Sequence, residues 1–225
     1  MKVFITRAQT TESPFSRMLL SQGYQVEGAS WVEVTGVPFE PSSLPVHDWL
    51  FFYSANGVKF FHQSLPFSDA KIGVVGKASA KAVEEHFGKI PSFIGEGTPI
   101  EIALAFGEVL GTEKVLFARA ERSEQSVQKH LQEPKRIFDL IVYQNKLLIP
   151  TAPIEADVLV FTSPMNAEAY LQSLESSSSI PESTKIVAIG HTTAAALNSL
   201  GLPCHIISKR PDEESLAQAV IEFRV

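Results

Sequence analysis

The sequence predicts an α/β protein built on parallel β-sheets. Short apolar runs alternate with amphipathic stretches along its 225 residues, and several runs lack polar alternation, such as 72–75 and 158–161. Strands that are apolar on both faces are typical of parallel sheets covered by helices. A third observation is an internal repeat: three blocks recur in the same order at an offset of about 110 residues. We therefore expect two similar lobes related by duplication.

Strand and helix signals alternate along the chain, as right-handed β-α-β crossovers require. The predicted strands are residues 2–6, 49–53, 72–75, 114–118, 139–143, 158–161, 186–189 and 203–207. The predicted helices begin near Glu12, Asn56, Lys77, Pro99, Ser123, Asn166, Thr192 and Glu213. In the repeat, residues 2–8 resemble 114–120, residues 48–56 resemble 157–166, and residues 71–76 resemble 185–190. A run of serines at 176–179 predicts a polar loop.

Composition narrows the function classes. Hydrophobic residues make up 44% and charged residues 20% of the chain, which is typical of a globular protein and excludes a disordered chain. The net charge of −6 argues against nucleic-acid binding, because no basic surplus exists to neutralise phosphates. The single cysteine, Cys204, fits a reducing compartment, and no cysteine or histidine cluster has metal-ligand spacing.

No apolar run reaches the ~18 residues of a membrane span, and the start of the sequence lacks a signal-peptide hydrophobic region. We therefore expect a cytoplasmic protein with no membrane partner. No exposed apolar helix face stands out, so a monomer is the expected state.

Small or hydroxylated turns follow six of the predicted strands, where ligands bind in parallel α/β sheets. Such turns leave backbone N–H groups at helix starts, which bind anions together with the helix dipole. A set of such turns around one crevice could hold a ligand with many carboxylates or phosphates; the alternative is plain helix capping. The candidate ligand-binding residues are Thr6, Arg7, Ser54, Asn56, Gly76, Lys77, Ser79, Arg119, Thr162, Ser163, Asn166, Gly190, His191, Thr192 and Thr193.

Some candidates have two interpretations each. Arg7 and Arg119 are either anion ligands or members of surface ion pairs, and His191 is either a ligand or an exposed turn residue. Tyr143 ends an apolar strand, where a tyrosine often only covers an edge. Neither glycine turn has the further glycines of a dinucleotide fingerprint or a P-loop, and no nucleophile elbow surrounds Ser163.

Taken together, the blocks resemble the uroporphyrinogen-III synthase family. The matching motifs are a first strand that closes on Thr6-Arg7, the block Thr162-Ser163 with Asn166-Ala167, the turn at 190–194, and a lone tyrosine, Tyr143, after an apolar strand. The resemblance covers nearly the whole chain and rests on the order and spacing of short motifs. The chain departs from the family pattern at Ala8, Tyr53 and Ser79, where proline, threonine and threonine are commoner.

The resemblance implies two flavodoxin-like lobes joined by a two-stranded connector. Residues 1–35 plus 146–225 would form one lobe and residues 36–145 the other, with connector strands at about 31–37 and 143–149. Such a connector would leave the lobes free to open and close.

The implied reaction is closure of the linear tetrapyrrole hydroxymethylbilane to uroporphyrinogen III, with loss of water and inversion of ring D, in haem biosynthesis. The turns would bind the eight substrate carboxylates, and Tyr143 would assist the departing hydroxyl. No metal or organic cofactor is implied. The alternatives are a non-catalytic binder of an anionic small molecule and a phosphosugar or nucleotide enzyme on the same fold.

Overall fold

The computed structural model describes residues 1–151, 154–174 and 180–224, so the polar loop expected at 176–179 lies outside the described residues. It divides the chain into two compact units: unit 1 is Met1–Glu33 with Lys146–Val225, and unit 2 is Val34–Asn145. In the described part of the chain, no helix is both long and apolar enough to cross a bilayer.

Both units are built from alternating strands and helices. The strands are β1 (Lys2–Ile5), β2 (Gln25–Gly28), β3 (Val32–Gly36), β4 (Trp49–Phe52), β5 (Lys71–Val75), β6 (Phe93–Gly95), β7 (Val115–Ala120), β8 (Ile137–Leu147), β9 (Val158–Phe161), β10 (Lys185–Ala188) and β11 (Ile206–Ile207). The α-helices are α1 (Pro14–Ser21), α2 (Ala55–Ser64), α3 (Gly76–Phe87), α4 (Pro99–Leu110), α5 (Pro164–Leu174), α6 (His191–Ser199) and α7 (Glu213–Ile221).

Local sequence explains where several helices start. The Thr98 side chain accepts the N–H of Glu101, and the Glu101 carboxylate accepts the N–H of Thr98, a capping box that begins α4 before Pro99. Asp212 caps α7 by accepting the Ser215 N–H at 2.8 Å, and that hydrogen bond lowers the pKa of the Asp212 carboxyl.

Unit 1 contains a five-stranded sheet in the order β11-β10-β9-β1-β2, and its strand pairs are parallel. Alternate residues of β1 bury against opposite faces: Val3 and Ile5 pack with α1 and α7 residues, whereas Phe4 packs with Tyr170 of α5 and its neighbours. Because both faces are covered, the central strands need no polar alternation, which confirms the interpretation of the apolar runs.

The second sheet has six strands in the order β3-β8-β7-β4-β5-β6, and all of it lies in unit 2 except the first residues of β3 and the last residues of β8. The strands from β8 to β6 pair in parallel. Leu50 and Phe52 of β4 bury against one face, and Trp49 and Phe51 bury against the other. The α/β fold class with parallel sheets is therefore confirmed.

The repeated blocks occupy matching places in the two sheets. From β2 to β11 the strands of unit 1 run 2-1-3-4-5 in chain order, the flavodoxin order. The same positions in unit 2 are taken by β8, β7, β4, β5 and β6. In unit 2 the strands that match β9, β10 and β11 therefore come first in the chain, and those that match β1 and β2 come last. Each pair of similar blocks thus falls on one position: β1 with β7, β9 with β4, and β10 with β5.

An aspartate before each central strand explains part of the repeat. In unit 1 the Asp157 carboxylate accepts the Lys2 N–H at 2.7 Å, and the Asp157 N–H donates to the Lys2 carbonyl at 2.9 Å. In unit 2 the Asp48 carboxylate accepts the Lys114 N–H at 2.9 Å, and the Asp48 N–H donates to the Lys114 carbonyl at 2.9 Å. These residues therefore fix the register of neighbouring strands in both sheets.

Each of the eight predicted strands contains a strand, although the one predicted at 203–207 is reduced to Ile206–Ile207, and seven of the eight predicted helices exist. The helix predicted near Ser123 is wrong: that stretch holds turns and a 3-10 segment at Gln128–His130, and Gln125 adopts a left-handed φ of 53°, which interrupts a helix. The short strands β2 and β6 were not predicted, because four and three residues carry little periodicity.

The strand expected at 139–143 and the connector strand expected at 143–149 form one continuous strand, β8. Its neighbour is β3. The Val37 N–H donates to Val142 at 2.9 Å and the Leu148 N–H donates to Trp31 at 2.8 Å, so the two segments run in opposite directions.

Candidate functional site

In each unit, parallel strands bring the predicted site residues to one edge of the sheet. Adjacent strands β1, β9 and β10 end near Thr6, Thr162 and Gly190 in unit 1, and adjacent strands β7, β4 and β5 end near Arg119, Ser54 and Gly76 in unit 2. The carboxyl ends of adjacent parallel strands lie together, and ligands bind there in this class of fold.

Tyr143 contacts another predicted site residue in unit 2. Its hydroxyl lies 3.0 Å from Ser54 Oγ, and either group can donate. Ser54 is the N-cap of α2, and its Oγ also accepts the Gly57 N–H at 3.2 Å. The Tyr143 ring is 8% exposed and stacks on Phe60 at 5.8 Å between centroids. The pair therefore holds a phenol hydroxyl at a defined place on a helix start.

The start of α3, in contrast, has no side-chain cap among the described residues. Its N-cap is Val75, and its first residue, Gly76, has a left-handed φ of 74° that favours glycine. Open space surrounds Gly76, since a Cβ there would meet no atom within 4 Å. Lys77 is exposed and Ser79 is buried. The first N–H groups of α3 thus start the helix without a serine or aspartate cap.

The matching helix in unit 1, α6, also starts without a side-chain cap. Its N-cap is Gly190, beside which a Cβ would again meet no atom within 4 Å. His191 and Thr192 are exposed, whereas Thr193 is buried. Two helix starts at matching sheet positions therefore share a glycine, open space and no side-chain cap.

The ends of β1 and β9 are joined by two threonines. Thr6 Oγ1 accepts the Thr162 N–H at 2.9 Å, and the Thr162 hydroxyl donates to the Thr6 carbonyl at 2.8 Å. Thr6 is 1% exposed. Both side chains are engaged with each other, which fixes the two strand ends.

Ser163 and Asn166 form a second small network at the start of α5. Ser163 Oγ accepts the Asn166 N–H at 3.2 Å and its side-chain amide at 2.9 Å. The side-chain Oδ1 of Asn166 accepts the Trp31 N–H at 2.8 Å. Asn166 is buried, whereas Asn56 at the matching turn of unit 2 is exposed. Asn166 therefore ties α5 to the segment before β3.

Both predicted arginines take part in ion pairs. Arg7 Nη1 lies 3.7 Å from Glu213 Oε1 and remains partly exposed. Arg119 Nε donates to Asp139 Oδ1 at 2.6 Å, its Nη1 donates to the Ala120 carbonyl at 3.0 Å, and its side chain is 12% exposed. The sequence left each arginine as either an anion ligand or a member of an ion pair, and the structure contains an ion pair for both.

Not every predicted turn leads directly into a helix. Six residues separate Arg7 from α1, and no α-helix follows Arg119 before β8. The segment after Arg119 instead folds back: Gln125 and Gln128 both donate to Asp139 Oδ2, at 3.2 and 3.0 Å. The prediction of six turns that each lead into a helix is therefore wrong at these two places: α1 begins only at Pro14, and after Arg119 side-chain hydrogen bonds to Asp139 take the place of a helix.

Sequence reasoning missed one group beside the predicted turns. The Tyr53 hydroxyl accepts the Gln128 N–H at 3.1 Å and donates to the Gln128 side-chain carbonyl at 3.4 Å. Burial raises the pKa of Tyr53 above its ordinary value, so the phenol stays protonated at neutral pH. No local sequence pattern predicts that Gln128, in an irregular segment, binds Tyr53. The one indication in the sequence was Tyr53 itself, which is an unusual residue for its turn.

The chain matches known proteins along most of its length. The family model described as uroporphyrinogen-III synthase HemD matches residues 13–218. The chain is 26% identical over 242 residues to a uroporphyrinogen-III synthase of Chlorobaculum parvum, covering 98% of each protein.

Two solved structures are similar in fold. Uroporphyrinogen-III synthetase from Helicobacter pylori has a TM-score of 0.70 at 21% identity, covering 99% of both chains. A mutant uroporphyrinogen III synthase from Thermus thermophilus has a TM-score of 0.59 at 17% identity, covering 99% of this chain and 98% of that one. Because the family model spans most of the sequence, the chain belongs to the uroporphyrinogen-III synthase family.

Proposed function

We propose that the chain closes hydroxymethylbilane to uroporphyrinogen III, with loss of water and inversion of ring D. Family membership supports the reaction. Within the chain, the observation that carries the proposal is the matched pair of uncapped helix starts at Gly76 and Gly190.

Those helix starts suit the carboxylates of the substrate. Unpaired N–H groups and the positive end of the helix dipole favour an anion, by about 0.3–1 kcal/mol for an exposed group. The glycines leave room for a carboxylate to approach the backbone. Backbone donors also explain how a chain with a net charge of −6 binds an anionic substrate.

We propose different roles for the residues around these turns. The exposed ones, Asn56, Lys77, His191 and Thr192, would contact carboxylates directly together with Arg7. The residues that are buried, hydrogen-bonded or ion-paired would hold the turns in shape. They are Thr6, Ser54, Ser79, Arg119, Thr162, Ser163, Asn166 and Thr193.

Tyr143 is proposed as the group that assists the departing hydroxyl. The substrate loses this hydroxyl readily, leaving an azafulvene cation that attacks the substituted carbon of ring D through a spiro intermediate. When the Ser54 hydroxyl donates to Tyr143, the phenol hydrogen is free to donate to the leaving oxygen, which then departs as water. Without enzyme the chain closes without inversion, so holding the geometry is the larger part of catalysis.

The product isomer tests the proposal. Purified protein is incubated with freshly made hydroxymethylbilane, and the oxidised products are separated by chromatography into types I and III. We expect mainly type III with the protein and type I with buffer or heat-denatured protein. Type I alone with folded protein would refute the activity and favour a non-catalytic binder.

We further propose that the protein is a cytoplasmic monomer. One partly buried cysteine in the whole chain suits a reducing compartment. Light scattering coupled to size-exclusion chromatography should give a mass near 24.6 kDa, and twice that mass would contradict the monomer.

A further inference from the structure

A chain of hydrogen bonds in unit 2 leads from Tyr53 to Arg119. The Tyr53 hydroxyl both accepts from and donates to Gln128. Gln128 is 8% exposed and donates its side-chain amide to Asp139 at 3.0 Å, and Asp139 also accepts from Arg119 at 2.6 Å. Gln128 is buried, Tyr53 and Arg119 are partly buried, and Asp139 is exposed. Because every member of this network has a hydrogen-bond partner, the network holds the segment that carries it in one arrangement.

This network lies on the opposite face of the sheet from Tyr143. The Tyr53 ring packs at 5.8 Å from Phe51 and 5.6 Å from Phe117, in the cluster on one face. Tyr143 belongs to the cluster on the other face, with Phe52. Successive residues of an extended chain point to opposite faces, so Tyr53 and Ser54 fix the same short backbone stretch from two sides.

We propose that Tyr53 is a positioning residue: held by Gln128, it fixes the backbone at Ser54 and thereby the place of the Tyr143 hydroxyl. The inference rests on the proposed function, because it assigns Tyr53 a role through Tyr143. Tyr53 does not contact Tyr143 itself; Ser54 connects them, through one peptide bond and one 3.0 Å hydrogen bond. A displacement of about 1 Å at a reacting group can slow catalysis by about 100-fold, so a small shift of the Tyr143 hydroxyl is enough to change the rate.

In unit 1 the corresponding strand end is held by different hydrogen bonds. At the position that matches Tyr53, Thr162 bonds directly to Thr6 on the neighbouring strand. In unit 2 the residue that matches Thr6 is Ala118, which has no side-chain hydrogen-bonding group. A long phenol that reaches Gln128 therefore replaces a short hydroxyl pair.

A double-mutant cycle tests the proposal by a readout that a general packing role would not change. Tyr53→Phe keeps the ring and removes both bonds to Gln128. We expect kcat for type III formation to fall ~5-fold, with KM within ~2-fold of wild type, because positioning acts on the transition state more than on binding. In the Tyr143→Phe background, the same change should alter kcat by less than ~1.5-fold, because the hydroxyl that it positions is absent. The Ser54→Ala background should likewise remove the effect.

The matched control is Tyr24→Phe, which removes a buried phenol hydroxyl beside the amino end of β2 and should leave kcat unchanged. Circular dichroism at the assay temperature establishes that each variant is folded. An equal loss of kcat from Tyr53→Phe with and without Tyr143 would overturn the proposal, as would no loss in the wild-type background. Type III product from wild type alongside either result would show that the positioning role fails while the proposed function stands.

Discussion

The ends of the central strands in the two units are held in different ways. In unit 1, where β1 meets β9, Thr6 and Thr162 bond to each other, and their side chains close the junction. In unit 2, where β7 meets β4, Tyr53 reaches Gln128 in the irregular segment, and Gln128 reaches Asp139. The strands around both junctions begin with the same aspartate pairing.

The repeat thus preserves the backbone scaffold more closely than the side chains at the strand ends. Register-fixing aspartates and uncapped glycine helix starts recur in both units. The segment after β1 leads to helix α1, whereas the segment after β7 is irregular and packs through side chains. Matching scaffolds with unequal strand ends thus place Tyr143 beside a helix start in unit 2, while both units keep a helix start without a side-chain cap.

The largest expected effect is at Tyr143, which occurs in unit 2 alone. Tyr143→Phe should slow closure to type III by ~10–100-fold while leaving the fold intact, because only the donor hydroxyl is removed. The measurement is kcat with separation of the product isomers. An unchanged rate would remove Tyr143 from the mechanism and leave the two units equivalent in chemistry.

The junction in unit 1 is tested next. Thr6→Val removes the buried hydroxyl that accepts the partly buried Thr162 N–H, so we expect the free energy of unfolding to fall by ~1–3 kcal/mol. Urea denaturation measures this loss, with the exposed Thr112→Val as the control of equal shape. A loss no larger than that of Thr112→Val would mean that the two threonines do not fix the junction.

Ser54 and Ser163 both cap a helix, but only Ser54 contacts a tyrosine hydroxyl. Ser54→Ala and Ser163→Ala should each lower the free energy of unfolding by ~1 kcal/mol. Ser54→Ala should also lower kcat by ~3–10-fold, because Tyr143 loses its partner. Ser163→Ala should mainly weaken substrate binding, by ~1 kcal/mol or ~5-fold in affinity. Equal kinetic effects of the two variants would contradict the asymmetry.

The smallest effect concerns the exposed turn at α6. Thr192→Ala should weaken substrate affinity by ~5-fold, about 1 kcal/mol, with no change in the free energy of unfolding. The control is Thr112→Ala, because Thr112 lies before the amino end of β7, whereas the candidate turns follow the carboxyl ends of the strands. If affinity is unchanged, Thr192 does not bind a carboxylate, and the uncapped helix start acts through its backbone alone.

Sequence patterns predicted the strands well and the irregular segments poorly. Runs such as Val158–Phe161 carry strong local signals, because burial on both faces demands continuous apolar residues. The segment after Arg119 misled the prediction, since its amphipathic spacing suits a helix, yet Asp139 binds its glutamines from another strand. Long-range side-chain hydrogen bonds of this kind have no local period.

The α/β class, the parallel strands, the repeated blocks and the small or hydroxylated turns could be predicted from the sequence alone, because apolar runs and turn residues are local features of a chain. Only the tertiary structure decided which hydroxyls meet: Tyr143 with Ser54, Thr6 with Thr162, and Tyr53 with Gln128. These partners lie 89, 156 and 75 residues apart in the chain. Their contact depends on strand order and register, which the packing of the whole sheet sets.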